Sequence, residues 1–264
     1  MDGGAKAPHY EEEIGRRGTG QQDGGNGLVV IEWTQKNRVA PVVSAAWFGD
    51  RNPDGGWLVE VKGTGVPGAR LQMKKSHAGG GDWQDHGTVP EDGKFSLVSN
   101  SYEEEDGCVT MRQIVDGVVS AESAKVPVNT LKSVSQTKEP ETVPGGTGTA
   151  VVKLESTGVG KTGGKYVLTA PRGFSFANEN VEVRRPDGSD AGGTWELSWD
   201  GTGEHLTNKG AWWDSKGTWT LTVSLKSDKN APEGTTTAKG GLSFQQGNLP
   251  PVIGDLSATV LRQE

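Results

Sequence analysis

The sequence predicts an all-β protein with two tandem β-sandwich domains behind a flexible N-terminal tail, and three observations support this prediction. The 264 residues include 41 glycines and 13 prolines, a density that long helices do not tolerate because both residues destabilise a helix interior. Apolar and polar residues alternate with the two-residue period of strands. Turn signals recur at the spacing of about 8–12 residues that is typical of sandwiches.

The chain divides into four predicted parts. Residues 1–27 are polar and contain too little apolar surface to offset the entropy of ordering, which predicts a flexible tail. Residues 28–130 form the first predicted sandwich. Residues 131–148 combine Pro, Gly, Ser, Thr and charged residues without periodicity, which indicates a linker between domains. Residues 149–264 form the second predicted sandwich.

The first sandwich is predicted from short alternating strands. It begins with the apolar segments Leu28–Trp33 and Val39–Phe48 and ends near Ala124–Val128. A DG pair at Asp116–Gly117 predicts a turn before the last strand. The side chains predicted to share the inner faces of the strands between are Trp57, Val59 and Val61, then Ala69, Leu71 and Met73, then Phe95 and Leu97, then Val109, Met111, Gln113 and Val115.

Three segments of this half also carry a family resemblance. They are GTGVPGARLQM at 63–73, DWQDHGTVPEDGKFSLV at 82–98 and VTMRQIVDGVVSAESAKVPV at 109–128. In order and spacing they resemble the bacterial Ig-like repeat of surface and secreted proteins, over residues 38–129. That repeat has a G-x-G-x-PGA turn, a Trp-containing strand, a DG turn and a closing hairpin. The resemblance implies an Ig-like sandwich and no particular activity, because one fold serves many functions.

The second half repeats the pattern of strands and turns. The segment Thr218–Lys226 alternates most regularly and places Trp219, Leu221, Val223 and Leu225 on one face. Further strands are predicted at Ala150–Ser156, Lys165–Pro171, Val181–Arg184, Thr194–Trp199 and Leu256–Leu261. The segments LTAPRGFSF and LTVSLKSDKNAPEGT are similar to the conserved-repeat sandwich domains of actinobacterial surface proteins, over residues 149–262. This resemblance implies the Ig-like sandwich fold alone.

Composition argues against several classes of protein. The net charge of −7 and the scattered basic residues disfavour nucleic-acid binding. No apolar run is long enough for a membrane span. The single cysteine, Cys108, excludes an internal disulfide. The segment from Glu155 to Thr162 ends in GKT like a phosphate-binding loop, but it lacks the first glycine and leads into a strand. No nucleophile or acid–base pair is recognisable, so no enzyme is predicted.

Tryptophans supply the candidate ligand-binding residues. The chain has nine, and an exposed indole can stack on a sugar ring or anchor a protein interface. Neighbours on an extended chain point to opposite faces, so Trp212 and Trp213 do not easily enter one core together. The predicted ligand-binding set is Trp212, Trp213, Trp199 and Trp195.

One turn supplies a candidate calcium site. Asp50, Asn52 and Asp54 match the first half of a calcium loop, whose ligands are oxygen atoms. The same N-P-D-G sequence is an ordinary turn, and this is the favoured interpretation. Calcium is therefore the one cofactor considered, and no other is predicted.

These features predict a non-catalytic binding, adhesion or spacer module that presents loops on two rigid sandwiches. The expected location is extracellular or at the cell surface, and the expected partner is a protein or a glycan there. A carbohydrate-binding accessory module that uses exposed tryptophans is the first alternative. A structural subunit of a virion, tail or toxin assembly is the second, favoured by the lack of a recognisable secretion signal in the first twenty residues. The oligomeric state is left open.

Overall fold

The computed structural model describes residues 39–262 apart from Asp54, Asp200, Trp212 and the segments 77–81, 103–106, 160–163 and 192–195. This part of the chain is all-β, with nineteen strands and no helix. The predicted fold class is therefore confirmed. No helix suited to crossing a membrane occurs in it either. The predicted tail, residues 1–27, and the predicted strand at 28–33 lie outside the described residues.

The first sandwich consists of two antiparallel sheets. Its strands are β1 (Val42–Arg51), β2 (Trp57–Thr64), β3 (Arg70–Ser76), β4 (Gln84–Thr88), β5 (Lys94–Tyr102), β6 (Cys108–Val115), β7 (Val118–Val119) and β8 (Val126–Pro127). One sheet has the order β1-β2-β5. The other has the order β4-β3-β6-β7, and β8 also pairs with β6.

The core of the first sandwich follows the predicted alternation. Asp116 and Gly117 have positive φ angles of 50° and 79°, as the tight hairpin between β6 and β7 requires. Gln113 is buried as predicted, and its side-chain oxygen accepts a hydrogen bond from the Val66 amide at 2.9 Å. The other predicted inner residues that are buried are Val59, Val61, Ala69, Leu71, Met73, Phe95, Val109 and Met111, while Trp57, Leu97 and Val115 pack partly buried against them.

The second sandwich also has two sheets. Its strands are β9 (Leu131–Lys138), β10 (Glu141–Thr142), β11 (Thr147–Ser156), β12 (Gly164–Thr169), β13 (Phe174–Phe176), β14 (Glu182–Arg184), β15 (Glu196–Trp199), β16 (His205–Ala211), β17 (Gly217–Ser227), β18 (Gly234–Gln245) and β19 (Val252–Val260). One sheet has the order β13-β17-β11-β9, with β14 beside β17. The other has the order β10-β19-β18-β12-β16-β15.

The central strand β17 organises the core of the second sandwich. Its predicted inner residues, Trp219, Leu221, Val223 and Leu225, are all buried, which confirms the period-two interpretation. The facing sheet contributes Tyr166, Leu168, Leu206, Leu242, Phe244, Leu256 and Ala258. Aromatic and branched side chains therefore fill the space between two sheets that are rich in glycine.

The predicted linker at 131–148 is wrong, because these residues form strands of the second sandwich. β9 pairs with β11 along most of its length, and β10 pairs with β19. Leu131 and Val134 are buried in the core. The Gln136 side chain bonds to the backbone of Ser257, donating at 2.8 Å and accepting at 2.7 Å. β9 lies at a sheet edge, so most of its residues are polar and its composition resembles that of a linker.

The alternating pattern also fails to predict β16 and β18 of the second sandwich. In β16 the sequence HLTNKGA buries Asn208 beside Leu206, which obscures the apolar alternation. In β18 the register shifts between Ala238 and Leu242, where the chain contains two glycines. A shift of this kind interrupts the two-residue period on which strand prediction depends.

The buried Tyr166 predicts a loss of stability in alkali. Burial raises the pKa of its phenol well above the ordinary value of 10.0. The unfolded chain therefore loses this proton near pH 10 while the folded chain keeps it. The stabilising contribution is complete below pH 10 and is lost as the pH rises further. We expect Tyr166→Phe to flatten the fall in unfolding free energy above pH 10, measured by urea denaturation. Parallel pH profiles for the two proteins would contradict this.

Candidate functional site

The two sandwiches meet at a contact region that we call the junction. It consists of Ala46, Phe48, Asp50, Glu60, residues 128–132, residues 157–159, Lys216 and Pro250. Since β9 begins only four residues after β8 ends, no free segment separates the sandwiches. The junction is therefore the place where the relative orientation of the sandwiches is decided.

The backbone of Asn129 is hydrogen bonded to the first sandwich. Its amide donates to the carbonyl of Ala46 at 2.8 Å, and its carbonyl accepts from the amide of Phe48 at 3.0 Å. These bonds make a parallel bridge between Asn129 and Trp47 at the edge of β1. The backbone is therefore still hydrogen bonded to the first sandwich at Asn129, just before β9 of the second sandwich begins.

The side chain of Asn129 is hydrogen bonded to the second sandwich. Its Nδ2 donates to the carbonyl of Pro250 at 2.9 Å, and its Oδ1 accepts from the amide of Leu131 at 3.0 Å. The next residue, Thr130, is buried, and its carbonyl accepts from the amide of Thr157 at 2.9 Å. Asn129 is therefore bonded to both sandwiches.

The loop after β11 inserts an apolar side chain into the first sandwich. Val159 is 2% exposed and belongs to the hydrophobic core of the first sandwich, although it follows a strand of the second. Gly158 before it has a φ of +81°, and a Cβ there would lie 2.6 Å from the backbone nitrogen of Lys216. The Gly158 amide also donates to Ser156 Oγ at 3.1 Å. The segment that resembles a phosphate-binding loop begins in β11 and includes Val159, which performs a packing role.

Two ion pairs cross the junction. Lys132 Nζ lies 3.1 Å from the Glu60 carboxylate, and both side chains are partly buried. Lys216 pairs with the exposed Asp50, and this hydrogen bond and positive charge lower the pKa of the Asp50 carboxyl. Surface pairs contribute little stability, but opposite charges across a contact favour one orientation over others.

The structure describes two of the four predicted ligand-binding tryptophans, Trp213 and Trp199. Trp213 is 0% exposed and lies in the core of the second sandwich. Its indole therefore has no surface on which a ligand could stack in this fold. Trp199 belongs to β15, while Trp195 and Trp212 lie outside the described residues. The ligand-binding role of these three residues stays a prediction.

The three predicted calcium ligands lie at the end of β1 and in the turn after it. Asp50 is engaged with Lys216, as described above. The backbone of Asn52 forms a turn, accepting from the Gly55 amide and donating to the Gly56 carbonyl, each at 3.0 Å. Asp54 lies outside the described residues. No group of three His, Cys, Asp or Glu side chains suited to a metal occurs in the described part of the chain. Calcium binding stays a prediction, which melting with calcium and with a chelator would check.

No protein-family model matches the chain, and neither does any curated protein. Several solved structures are similar to it. The major pilin subunit BcpA of Bacillus cereus aligns at 13% identity over 83% of this chain and 67% of its own, with a TM-score of 0.36. The major pilin SpaD from Corynebacterium diphtheriae aligns at 13% identity over 83% of this chain and 64% of its own, with a TM-score of 0.35. The collagen adhesin CNA from S. aureus aligns at 8% identity over 83% of this chain and 92% of its own, with a TM-score of 0.29.

Proposed function

We propose that this chain is a non-catalytic spacer and adhesion module of a secreted or surface protein, in which two sandwiches are held in one orientation. The junction carries the proposal. Val159 of the second sandwich is buried in the first core, and Asn129 is hydrogen bonded to both sandwiches. Two domains that worked independently on a flexible tether would need neither contact.

A fixed junction gives the module its mechanical property. Interfaces between domains of one chain normally allow relative motion unless they are large or apolar. Here an apolar side chain enters the neighbouring core and the adjoining backbone is hydrogen bonded on both sides. The loops at the outer ends of the two sandwiches would then stay at a constant separation, as a spacer requires.

The charged groups with shifted pKa values support a structural role. Hydrogen bonds lower the pKa of three exposed carboxyls: Asp50 beside Lys216, Asp187 beside Ser189, and Asp255 beside Lys239. Catalytic acids that work near neutral pH usually have raised pKa values. These three carboxylates instead hold a turn, a strand pair or the junction in place.

The partner of the module is a protein or a glycan at a cell surface under this proposal. The carbohydrate-binding alternative depends on Trp195, Trp199 and Trp212, and fluorescence titration with polysaccharides would test it. The alternative of an assembly subunit depends on oligomeric state. Both alternatives also use two rigid sandwiches, so the rigidity of the junction is the first property to measure.

Replacing Val159 by aspartate is expected to uncouple the two sandwiches. A buried carboxylate is strongly disfavoured, and a loop residue can leave the first core without unfolding it. We expect the wild-type chain to melt in one calorimetric transition and Val159→Asp to melt in two. Small-angle scattering should also show a wider range of particle dimensions for the variant.

Val143→Asp is the matched control, because Val143 lies in the second sandwich and is 43% exposed. It should retain the wild-type transition and scattering. Asn129→Ala, which removes the hydrogen bonds to Pro250 and Leu131, should act like Val159→Asp but more weakly. If Val159→Asp keeps one transition and an unchanged scattering profile, the rigid-spacer proposal fails.

A further inference from the structure

The outer face of the sheet β4-β3-β6-β7 brings together charged residues that are scattered in the sequence. Leu71 and Met73 of β3 are buried in the core, so the residues that alternate with them point outward. Gln72 lies opposite Asp85 of β4 on one side and opposite Arg112 of β6 on the other. The residues of this surface, which we call the Arg112 face, are Arg70, Gln72, Lys74, Trp83, Asp85 and Arg112.

Hydrogen bonds and an aromatic ring hold the Arg112 guanidinium in place. Its Nε donates to Gln72 Oε1 at 2.7 Å, and Gln72 Nε2 donates to Asp85 Oδ1 at 2.8 Å. The guanidinium carbon lies 4.3 Å from the ring centroid of Trp83, which is a cation–π contact. Gln72 engages Nε, so the two terminal amino groups of the guanidinium are the donors that a ligand would meet. A planar guanidinium fixed in this way is pre-organised to bind a carboxylate through two hydrogen bonds.

Two further cations flank Gln72 along β3. Arg70 precedes it by two residues and Lys74 follows it by two, which places each about 7 Å away on the same face. The Arg70 and Asp85 side chains lie 3.5 Å apart and are 54% and 55% exposed. Together with Arg112, three cations therefore surround one exposed carboxylate in a chain whose net charge is −7. This local excess of positive charge favours an anionic ligand, and the carboxylate can accept hydrogen bonds from hydroxyl groups.

The other sheet of this sandwich also has a cation–π pair, which differs in its surroundings. Lys62 Nζ lies 5.3 Å from the ring centroid of Trp47. Glu60, the residue opposite Trp47, is paired with Lys132 at the junction. A lysine is a point charge without the planar fork that binds a carboxylate through two hydrogen bonds. A fixed guanidinium with flanking cations and an indole is therefore the distinguishing feature of the Arg112 face.

We propose that the Arg112 face binds an acidic polysaccharide, a chain of sugars that carry carboxylate groups. Arg112 binds one sugar carboxylate, while Arg70 and Lys74 attract further carboxylates along the chain. Asp85 accepts hydrogen bonds from sugar hydroxyl groups, and the exposed part of the Trp83 indole contacts the apolar face of a sugar ring. An acidic peptide offers carboxylates without the hydroxyl groups and ring faces that Asp85 and Trp83 contact, so a polysaccharide fits better. This inference rests on the adhesion role in the proposed function and names the class of partner.

Isothermal titration calorimetry of the full chain with polygalacturonate, alginate and hyaluronate tests the proposal. We expect at least one of these carboxylated polymers to bind, with an affinity that falls as the salt concentration rises, because the cations are exposed. Polygalacturonate with methyl-esterified carboxyl groups, and poly-glutamate, should bind about tenfold more weakly or not at all, since each lacks one part of the recognition. Absence of binding to all three polymers overturns the proposal, and so does equal binding of poly-glutamate.

Arg112→Gln and Trp83→Ala should each weaken binding of the polymer by about tenfold, the effect of losing one charge-assisted hydrogen bond or its support. Lys62→Gln is the matched control, because it removes the cation of the other cation–π pair, and it should bind like the wild type. Thermal melts of the three variants should show that each is folded. If Arg112→Gln and Lys62→Gln bind equally well, the Arg112 face is not the binding site and the proposal is overturned.

This test is independent of the test of the rigid spacer. Val159→Asp alters the junction, whereas Arg112→Gln alters the outer face of one sheet in the first sandwich. A chain that binds no polymer can still melt in one transition, and a chain whose sandwiches move independently can still bind through the Arg112 face. Failure of the polysaccharide proposal and failure of the spacer proposal are therefore distinguishable.

Discussion

Replacing Trp213 by alanine is expected to destabilise the second sandwich by about 3–5 kcal/mol, the usual range for a large aromatic residue removed from a core. The Trp213 indole is fully buried and contacts three aromatic rings. Its centroid lies 5.3 Å from Trp219 in an edge-on arrangement, 5.7 Å from Phe244 and 6.5 Å from Tyr166. Alanine would leave a cavity that two packed sheets cannot close. Urea denaturation followed by circular dichroism measures the loss.

Trp83→Ala is the control for this substitution. Trp83 is only partly buried, and the Arg112 guanidinium lies 4.3 Å from its ring centroid. Removing a cation–π contact of this kind costs about 0.5–1 kcal/mol. Trp213→Phe, which keeps an aromatic ring, should fall between the two alanine variants. Equal losses for Trp213→Ala and Trp83→Ala would contradict the burial of Trp213.

Replacing Gly63 by alanine is expected to destabilise the first sandwich by about 3 kcal/mol or more, the upper end for overpacked cores. A Cβ at Gly63 would overlap the carbonyl oxygen of Val42 and the Cζ atom of the Phe95 ring, and would lie 2.9 Å from Phe95 Cε2. Phe95 is directly opposite Gly63 on β5, and Val42 is on β1. Because one obstacle is backbone, a rotamer change cannot relieve the clash. Thermal and urea melts give the measurement.

Gly49→Ala is the matched control in the same sheet. Gly49 is buried in β1, and its nearest atom to an added Cβ is Leu58 Cβ at 3.4 Å, an ordinary contact. Neither Gly49 nor Gly63 has a positive φ, so backbone strain does not separate the two substitutions. A small effect of Gly63→Ala, similar to that of Gly49→Ala, would show that β1 and β5 do not approach Gly63 this closely.

Local pattern was sufficient to predict the strands that bury one face. Trp219, Leu221, Val223 and Leu225 of β17 alternate without interruption, and all are buried. The turn predicted at Asp116–Gly117 lies between β6 and β7, and both residues have positive φ angles. In both cases the conformation depends on residues that are close together in the chain, so the local sequence is sufficient to predict it.

Prediction failed where a residue's role depends on a distant partner. β9 has the composition of a linker, yet it is an edge strand because β11 pairs with it. The pattern G-x-G-x-PGA places Gly63 in a turn, yet the residue lies in β2, where Phe95 and Val42 leave no room for a side chain. Nothing near either segment in sequence reveals these partners.

In the candidate site, too, the roles that depend on distant residues could not be predicted from the sequence. Sequence singled out the GKT-containing loop as a poor phosphate site but could not give Val159 a role, because the core that receives it is formed by residues far away in the chain. Sequence also grouped Trp213 with surface tryptophans, and only the three rings around it show that it is a core residue. Adjacent tryptophans point to opposite faces, but the chain alone does not reveal which face is inside.

The sequence by itself determined that this protein is a pair of glycine-rich β-sandwiches without helices in the described part, since alternation and turns are local properties. The tertiary structure decided how the sandwiches are joined and that Trp213 lies in a core. The physical reason is that burial, strand pairing and domain contact depend on residues that are distant in sequence. Asn129, bonded to Ala46 on one side and to Pro250 on the other, shows this in a single residue.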